Sequence, residues 1–200
     1  MRNILYIVIP FILFGCLSSP VKEQIQDQVQ ITQPKDGLAW GHKDWDAVLF
    51  NNINVSVFDK ASDIAMFCPN WKNLSQEKKL TTIGVFYVEL SRRESGWNTN
   101  DTAVDVGTAD NKNSWSIGLF QMSVDDQESY NLHYGFNYDD LLKAENNIKL
   151  ATAIMEQNIS KYGSITMRKN VYWAPLKISG KYDQIDGIVN AVKAKADGCL

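Results

Sequence analysis

Glu94 is the side chain in this 200-residue sequence whose placement most suggests chemistry. Ile83, Tyr87 and Leu90 recur at i, i+4 and i+7, and Glu94 stands at i+11 on the same helical face. A carboxyl group that continues an apolar stripe at a helix C-terminus is disfavoured in its charged form twice. Burial removes water, and the helix end adds partial negative charge. Both effects raise the pKa toward the range in which a protonated carboxyl serves as a general acid. A salt bridge to Arg92, Arg93 or a distant lysine is the other role open to this position, and spacing alone does not decide between them.

The segment after Glu94 is irregular. Residues 98–116 are dominated by Asn, Asp, Thr, Ser and Gly, and a stretch of that length inside a domain is more often functional than idle. A small β-hairpin is expected around Ala103–Val106. Asp105 and Asp110 are the nearest candidates for a second carboxylate, and each also suits an ordinary turn. The stretch ends at Ser116-Ile117-Gly118-Leu119-Phe120-Gln121-Met122, where Gly118 suits a close approach of the backbone to a ligand or another chain.

The elements that must position these groups read as helices. Asn73 and Ser75 both suit an N-cap, and Gln76 lies three residues after Asn73, as a capping box requires. Leu80, Ile83, Phe86, Tyr87 and Leu90 then define one helix. Asn147-Ile148 opens another, with Ala151, Met155, Ile159 and Tyr162 at helical spacing and Gly163 as its C-cap. Tyr182, Ile185, Val189, Val192 and Ala196 form a last one.

Composition excludes several classes. A net charge of −3 leaves no electrostatic footprint for nucleic acid. Three cysteines and two histidines leave little for a metal site, and no metal or other cofactor is expected. No P-loop, dinucleotide fingerprint or nucleophile elbow occurs. A monomer is expected.

The N-terminus has its own logic. Met1-Arg2-Asn3 precedes an apolar run from Ile4 to Phe14, too short for a bilayer and fit for the h-region of an export signal. Gly15-Cys16 after that run resembles a bacterial lipobox, which implies cleavage before Cys16 and its acylation. An ordinary buried N-terminal helix is the alternative. Residues 1–15 are thus expected as a signal, 16–38 as a Gln-rich tether and 39–200 as the folded domain. With Cys16 lipidated, Cys68 and Cys199 form an even pair that invites one disulfide in an oxidising compartment; two buried thiols are the alternative.

Glu94-Ser95, about twenty residues of loop, and then Ser116-x-Gly-Leu-Phe-Gln-Met122 resemble the signature of lysozyme-like peptidoglycan lytic transglycosylases, shared with goose-type lysozymes. Asn147-Ile148 and Tyr172 extend the likeness over roughly residues 75–178, with Tyr172-Trp173-Ala174-Pro175 where many members carry Tyr-Asn-Ala-Gly. The resemblance implies a mainly α, lysozyme-like fold with a small irregular β-hairpin loop. It implies cleavage of the β-1,4 bond between N-acetylmuramic acid and N-acetylglucosamine. Glu94 would be the catalytic acid and then base, and Ser95, Ser116, Gly118, Gln121 and Tyr172 would lie along the substrate. Tyr172 is expected to hydrogen-bond Glu94, and Gln121 to contact sugar. Trp97, Trp115 and Trp173 suit either sugar stacking or the core. The partner is then the peptidoglycan glycan strand. The expected location is the periplasm, on a lipid anchor in the outer membrane, because Leu17, not aspartate, follows Cys16. A non-catalytic peptidoglycan-binding or envelope-scaffolding lipoprotein on the same fold is the rival expectation.

Overall fold

The computed structural model describes residues 37–104, 107, 109–166, 172–178 and 184–200. Cys16, the export segment and nearly all of the tether lie outside the described residues, and so does Asp105. The chain first forms three short helices, α1 (Lys43–Asn52), α2 (Val55–Phe58) and α3 (Ile64–Phe67). A long central helix follows, α4 (Gln76–Glu94). The strands β1 (Thr102–Ala103) and β2 (Ser116–Ile117) pair antiparallel, Thr102 opposite Ile117 and Ala103 opposite Ser116. Next come the short helices α5 (Asp126–Ser129) and α6 (Tyr138–Leu141), the long α7 (Ala144–Tyr162) and α8 (Ile185–Lys195).

Helix α4 begins at Gln76 because the Ser75 hydroxyl accepts from the Lys78 N–H at 3.3 Å, satisfying one of the first turn's free donors. Asn73 sits instead in a preceding 3₁₀ turn, so the capping box from Asn73 to Gln76 does not form. The stripe of Leu80, Ile83, Phe86, Tyr87 and Leu90 is buried, and so are the polar Thr82, Glu89 and Ser91 on other faces. Helix α4 is therefore a core helix with α1, α2 and α8 packed against it. Thr82, Ser91 and Glu89 each have a hydrogen-bond partner, whereas the buried Tyr87 hydroxyl has none among the described residues. The Thr82 hydroxyl donates to the Lys78 carbonyl at 2.7 Å and the Ser91 hydroxyl to the Val88 carbonyl at 3.0 Å. Glu89 accepts from Arg92 at 2.8 Å and from Lys195 on α8 at 2.5 Å. Burial opposes ionisation of Glu89, but bonds and charge from Lys195 and Arg92 hold its carboxyl below the ordinary value.

Leu38, assigned to the tether by composition, packs into the core, and its N–H donates to Asp46 at 3.0 Å. Cys68 and Cys199 are disulfide-bonded and tie the end of α3 to the chain's last residues across a sequence separation of 131. Closing so long a loop contributes about 4–5 kcal/mol in the chain-entropy account, an upper figure. Helix α7 begins at Ala144, three residues before Asn147, and ends at Gly163, whose φ of +71° closes the helix in the left-handed conformation. The small hairpin is formed by the short strands at 102–103 and 116–117, while Asp105 and Val106 of the expected stretch lie outside the described residues.

Candidate active site

Glu94 is the last residue of α4. The chain then turns sharply, with φ of +62° at Gly96 and +68° at Trp97. Ser95 holds the helix end in place. Its hydroxyl donates to the Leu119 carbonyl at 3.0 Å and, less closely, to the Ser91 carbonyl at 3.3 Å. Trp97 donates from Nε1 to the Val88 carbonyl at 2.9 Å, bracing the turn against the same helix.

Residues 116–122 form the wall facing that helix end. Ile117 and Met122 exchange backbone hydrogen bonds at 2.8 and 3.0 Å, which closes a tight turn through Gly118–Gln121. Gly118 has φ +72°, and a Cβ there would lie 2.7 Å from Asn147 Nδ2 and 2.8 Å from the Leu141 carbonyl oxygen. Only glycine fits both the backbone angle and the space. Asn147 sits 1 % exposed and clamps the turn from α7. Its Oδ1 accepts from the Phe120 N–H at 2.8 Å, and its Nδ2 donates to the carbonyls of Ile117 at 2.8 Å and Leu141 at 3.0 Å. The close backbone approach expected at Gly118 is thus to another segment of the chain.

Glu94 Oε1 is shut off from solvent and has no hydrogen-bond partner. Burial pushes the Glu94 carboxyl up to about 7. Neither adjacent arginine pairs with it: Arg92 binds Glu89, and Arg93 donates to Gln184 Oε1 at 3.1 Å. Among the described residues no salt bridge reaches Glu94. A carboxyl group so placed holds its proton near neutrality, and among the described residues nothing is paired with its buried oxygen.

The other expected site residues distribute unevenly around it. Ser116 lies in β2, half-buried. Gln121 has φ +52°, and its side-chain amide donates to the carbonyls of Gly118 at 2.9 Å and Asp101 at 3.3 Å. The amide nitrogen of Gln121 is thereby held against the turn's own backbone. Burial above all pushes the Tyr172 phenol up, and its hydroxyl donates to Asp126 Oδ2 rather than to Glu94. Trp173 is core: it is 2 % exposed, and its Nε1 donates to the Phe120 carbonyl at 2.9 Å. Trp97 and Trp115 are half-buried against the same core. Asp110 stands exposed in a turn.

Asp126 is the carboxylate that sequence reasoning missed. It is half-buried in α5, accepts from the Tyr172 hydroxyl and accepts from the Ser123 N–H at 2.6 Å. Burial pushes its carboxyl up, against the lowering effect of those hydrogen bonds. Its sequence signal is weak: Asp125-Asp126 reads as an ordinary acidic helix start. Beyond Tyr172 the ring of Tyr130 packs edge-on at 6.2 Å, and Tyr130 borders an open cleft of about 1010 Å³. Asn131, Gln157, Asn158, Lys161 and Tyr162 also line that cleft. Among the described residues no group of three or more His, Cys, Asp or Glu side chains is arranged to hold a metal ion.

A buried carboxyl at the end of a core helix, held against a Ser-x-Gly-Leu-Phe-Gln turn in a mainly helical domain, places the protein in the lysozyme-like class. Residues 72–197 match the transglycosylase SLT domain, and the chain belongs to that family. The match runs beyond the motif-bearing stretch and takes in α8. Lytic cleavage of peptidoglycan glycan strands is the activity associated with this domain. Solved structures with the same fold include three of Bd0314 DslA. One glutamate-to-glutamine variant has a TM-score of 0.65 at 21% identity, covering 86% of this chain and all of that one. The wild-type form has a TM-score of 0.64 at 21% identity, covering 82% and 95%. A second glutamate-to-glutamine variant has a TM-score of 0.63 at 20% identity, covering 87% and 95%. The comparison with curated proteins gives no match.

Proposed function

We propose that this protein cleaves the β-1,4 bond between N-acetylmuramic acid and N-acetylglucosamine with Glu94 as its single acid–base catalyst. The observation that carries this reading is the partnerless, buried Glu94 carboxyl with its pKa near 7. A protonated Glu94 gives its proton to the glycosidic oxygen as the C–O bond breaks, and the leaving sugar departs as an alcohol. The resulting carboxylate then takes a proton from the muramic acid C6 hydroxyl, which closes a 1,6-anhydro ring, or from a water, which hydrolyses the bond. The scheme departs from the common two-carboxylate arrangement. A protein that only binds glycan has no need to bury a carboxyl without a partner, because doing so costs stability.

Digestion of purified peptidoglycan followed by mass spectrometry tests the reading. Soluble muropeptides are expected, with new ends one water lighter than hydrolysed ends if the C6 hydroxyl is the nucleophile. Intact sacculi after prolonged incubation with folded protein would refute it.

The export run and Gly15-Cys16 support a periplasmic protein anchored by lipid on Cys16, in the outer membrane where the host has two membranes. Cys16→Ser is expected to turn a membrane-sedimenting protein into a soluble form or an unprocessed precursor. Failure of a fatty-acid probe to label the parent protein would exclude the anchor.

A further inference from the structure

We propose that Arg93 is a positioning residue: seated in a notch that Gly187 leaves open on α8, it closes a circuit of hydrogen bonds that aims Glu94, an inference that rests on the catalytic role proposed for that carboxyl. Glu94 Oε1 is buried without a hydrogen-bond partner, so no bond from that oxygen fixes the side chain. Its aim falls to the residues on either side. After it, the Ser95 hydroxyl donates to the Leu119 carbonyl at 3.0 Å. Before it, Arg93 Nη1 donates to Gln184 Oε1 at 3.1 Å, just ahead of α8. Further bonds join these two anchors. The Gln184 N–H donates to the Pro175 carbonyl at 3.3 Å. Two residues before Pro175, Trp173 Nε1 donates to the Phe120 carbonyl at 2.9 Å. Phe120 follows Leu119 directly, so the circuit closes at Ser95.

Gly187 makes the seat. A Cβ there would lie 2.4 Å from Arg93 Nη2, 3.0 Å from Cζ and 3.3 Å from Nη1. Gly187 is in the first turn of α8 and is not among the glycines with positive φ, so its backbone does not demand glycine. Glycine is a poor helix former, and what its missing side chain permits here is the close approach of the guanidinium. Charge does not account for that approach. The end of α4 favours a cation, but the start of α8 disfavours one. Among the described residues no salt bridge reaches Arg93, and its Nε is buried without a partner. Shape and the bond to Gln184 hold the guanidinium. Helix ends otherwise fray, and the same hold restrains the last turn of α4, where Glu94 stands.

Gly187→Ala tests this without altering α4 or any charge. The methyl group displaces the flexible guanidinium, and alanine suits a helix, so the melting temperature should equal or exceed that of the parent. With the last turn loosened, water reaches the Glu94 carboxyl. Its titration midpoint is followed by ¹³C NMR, with Glu94→Gln identifying the resonance, and is expected to fall by about one pH unit. On soluble glycan strands at a pH of about 5, where Glu94 is largely protonated in both proteins, kcat should fall about tenfold with KM unchanged. Arg93→Ala should produce the same changes. Burial, and no charge from Arg93, raises the Glu94 carboxyl, so loss of the guanidinium acts only through the loosened turn. In the Arg93→Ala background, Gly187→Ala should change neither quantity further. An unmoved midpoint in Gly187→Ala, or additive effects in the double variant, would overturn the proposal. The midpoint is read without turnover, so a moved midpoint with unchanged kcat would uphold the positioning of the carboxyl and refute Glu94 as the acid.

Discussion

Replacing Glu94 with glutamine is expected to reduce peptidoglycan cleavage by about 10²–10⁴-fold, the usual worth of a general acid, while leaving the fold intact. The amide preserves shape but has no proton to give. Release of soluble muropeptides at matched concentrations of folded protein measures the effect, and equal release by variant and parent would remove Glu94 from the chemistry. The parent's activity should persist toward neutral pH and decline as Glu94 ionises around pH 7.

The same substitution has a stability signature of definite sign. In the folded state the Glu94 carboxyl titrates at about 7, whereas in the unfolded chain it titrates near the ordinary glutamate value of about 4.3. Below both values the residue is protonated in both states and costs nothing. Between them the unfolded chain releases a proton that the folded protein keeps, so stability falls as pH rises, levelling off above the folded value. The interval sets a ceiling of about 4 kcal/mol at about 1.4 per pH unit. A buried amide also carries a desolvation cost, so Glu94→Gln should gain about 1–2 kcal/mol over the parent at pH 8 and little at pH 4. Thermal melts at the two pH values decide it. A variant less stable than the parent at pH 8 would make Glu94 a structural ion-pair partner.

Local sequence carried the helix that presents Glu94. The stripe from Leu80 to Leu90 repeats with helical period, and a carboxylate at its end is visible by counting. The Gly118 turn was legible through its glycine, although its close approach is to Asn147 and Leu141 rather than to a ligand. Tertiary partners were not legible. Gln121 turns its amide nitrogen onto the Gly118 and Asp101 carbonyls, which also accept backbone N–H groups, and that contact depends on the fold of the turn rather than on local sequence. Tyr172 and Asp126 meet across 46 residues of sequence, and nothing in either local segment signals the other. Helix α8 carries no motif residue; it belongs to the matched domain because it packs on α4 and supplies Lys195 to Glu89.

Asn147→Ala is expected to be the most destabilising single change near the site, at about 3–5 kcal/mol. Asn147 makes three hydrogen bonds while 1 % exposed, and its loss takes the acceptor from the Phe120 N–H and a donor from the Leu141 and Ile117 carbonyls, of which Ile117 keeps the Met122 N–H, beside a small void. Each buried group left unsatisfied costs about 1–3 kcal/mol, and alanine cannot reach any of them. Those groups define the turn through Gly118–Gln121, whose Leu119 carbonyl receives the Ser95 hydroxyl beside Glu94. Loosening the turn therefore releases the helix end that aims the Glu94 carboxyl, and, on the proposed role of Glu94, turnover of the protein that remains folded should fall at least about tenfold, as displacement by an ångström does elsewhere. The adjacent Asn146 provides the control. It makes one bond to the Asp140 carbonyl at 3.1 Å from a part-buried position, so Asn146→Ala should cost about 1 kcal/mol and leave turnover unchanged. Urea unfolding of both variants, with muropeptide release assayed below the transition, separates the outcomes. Equal stability of the two variants would show that the Asn147 bonds do not hold the turn.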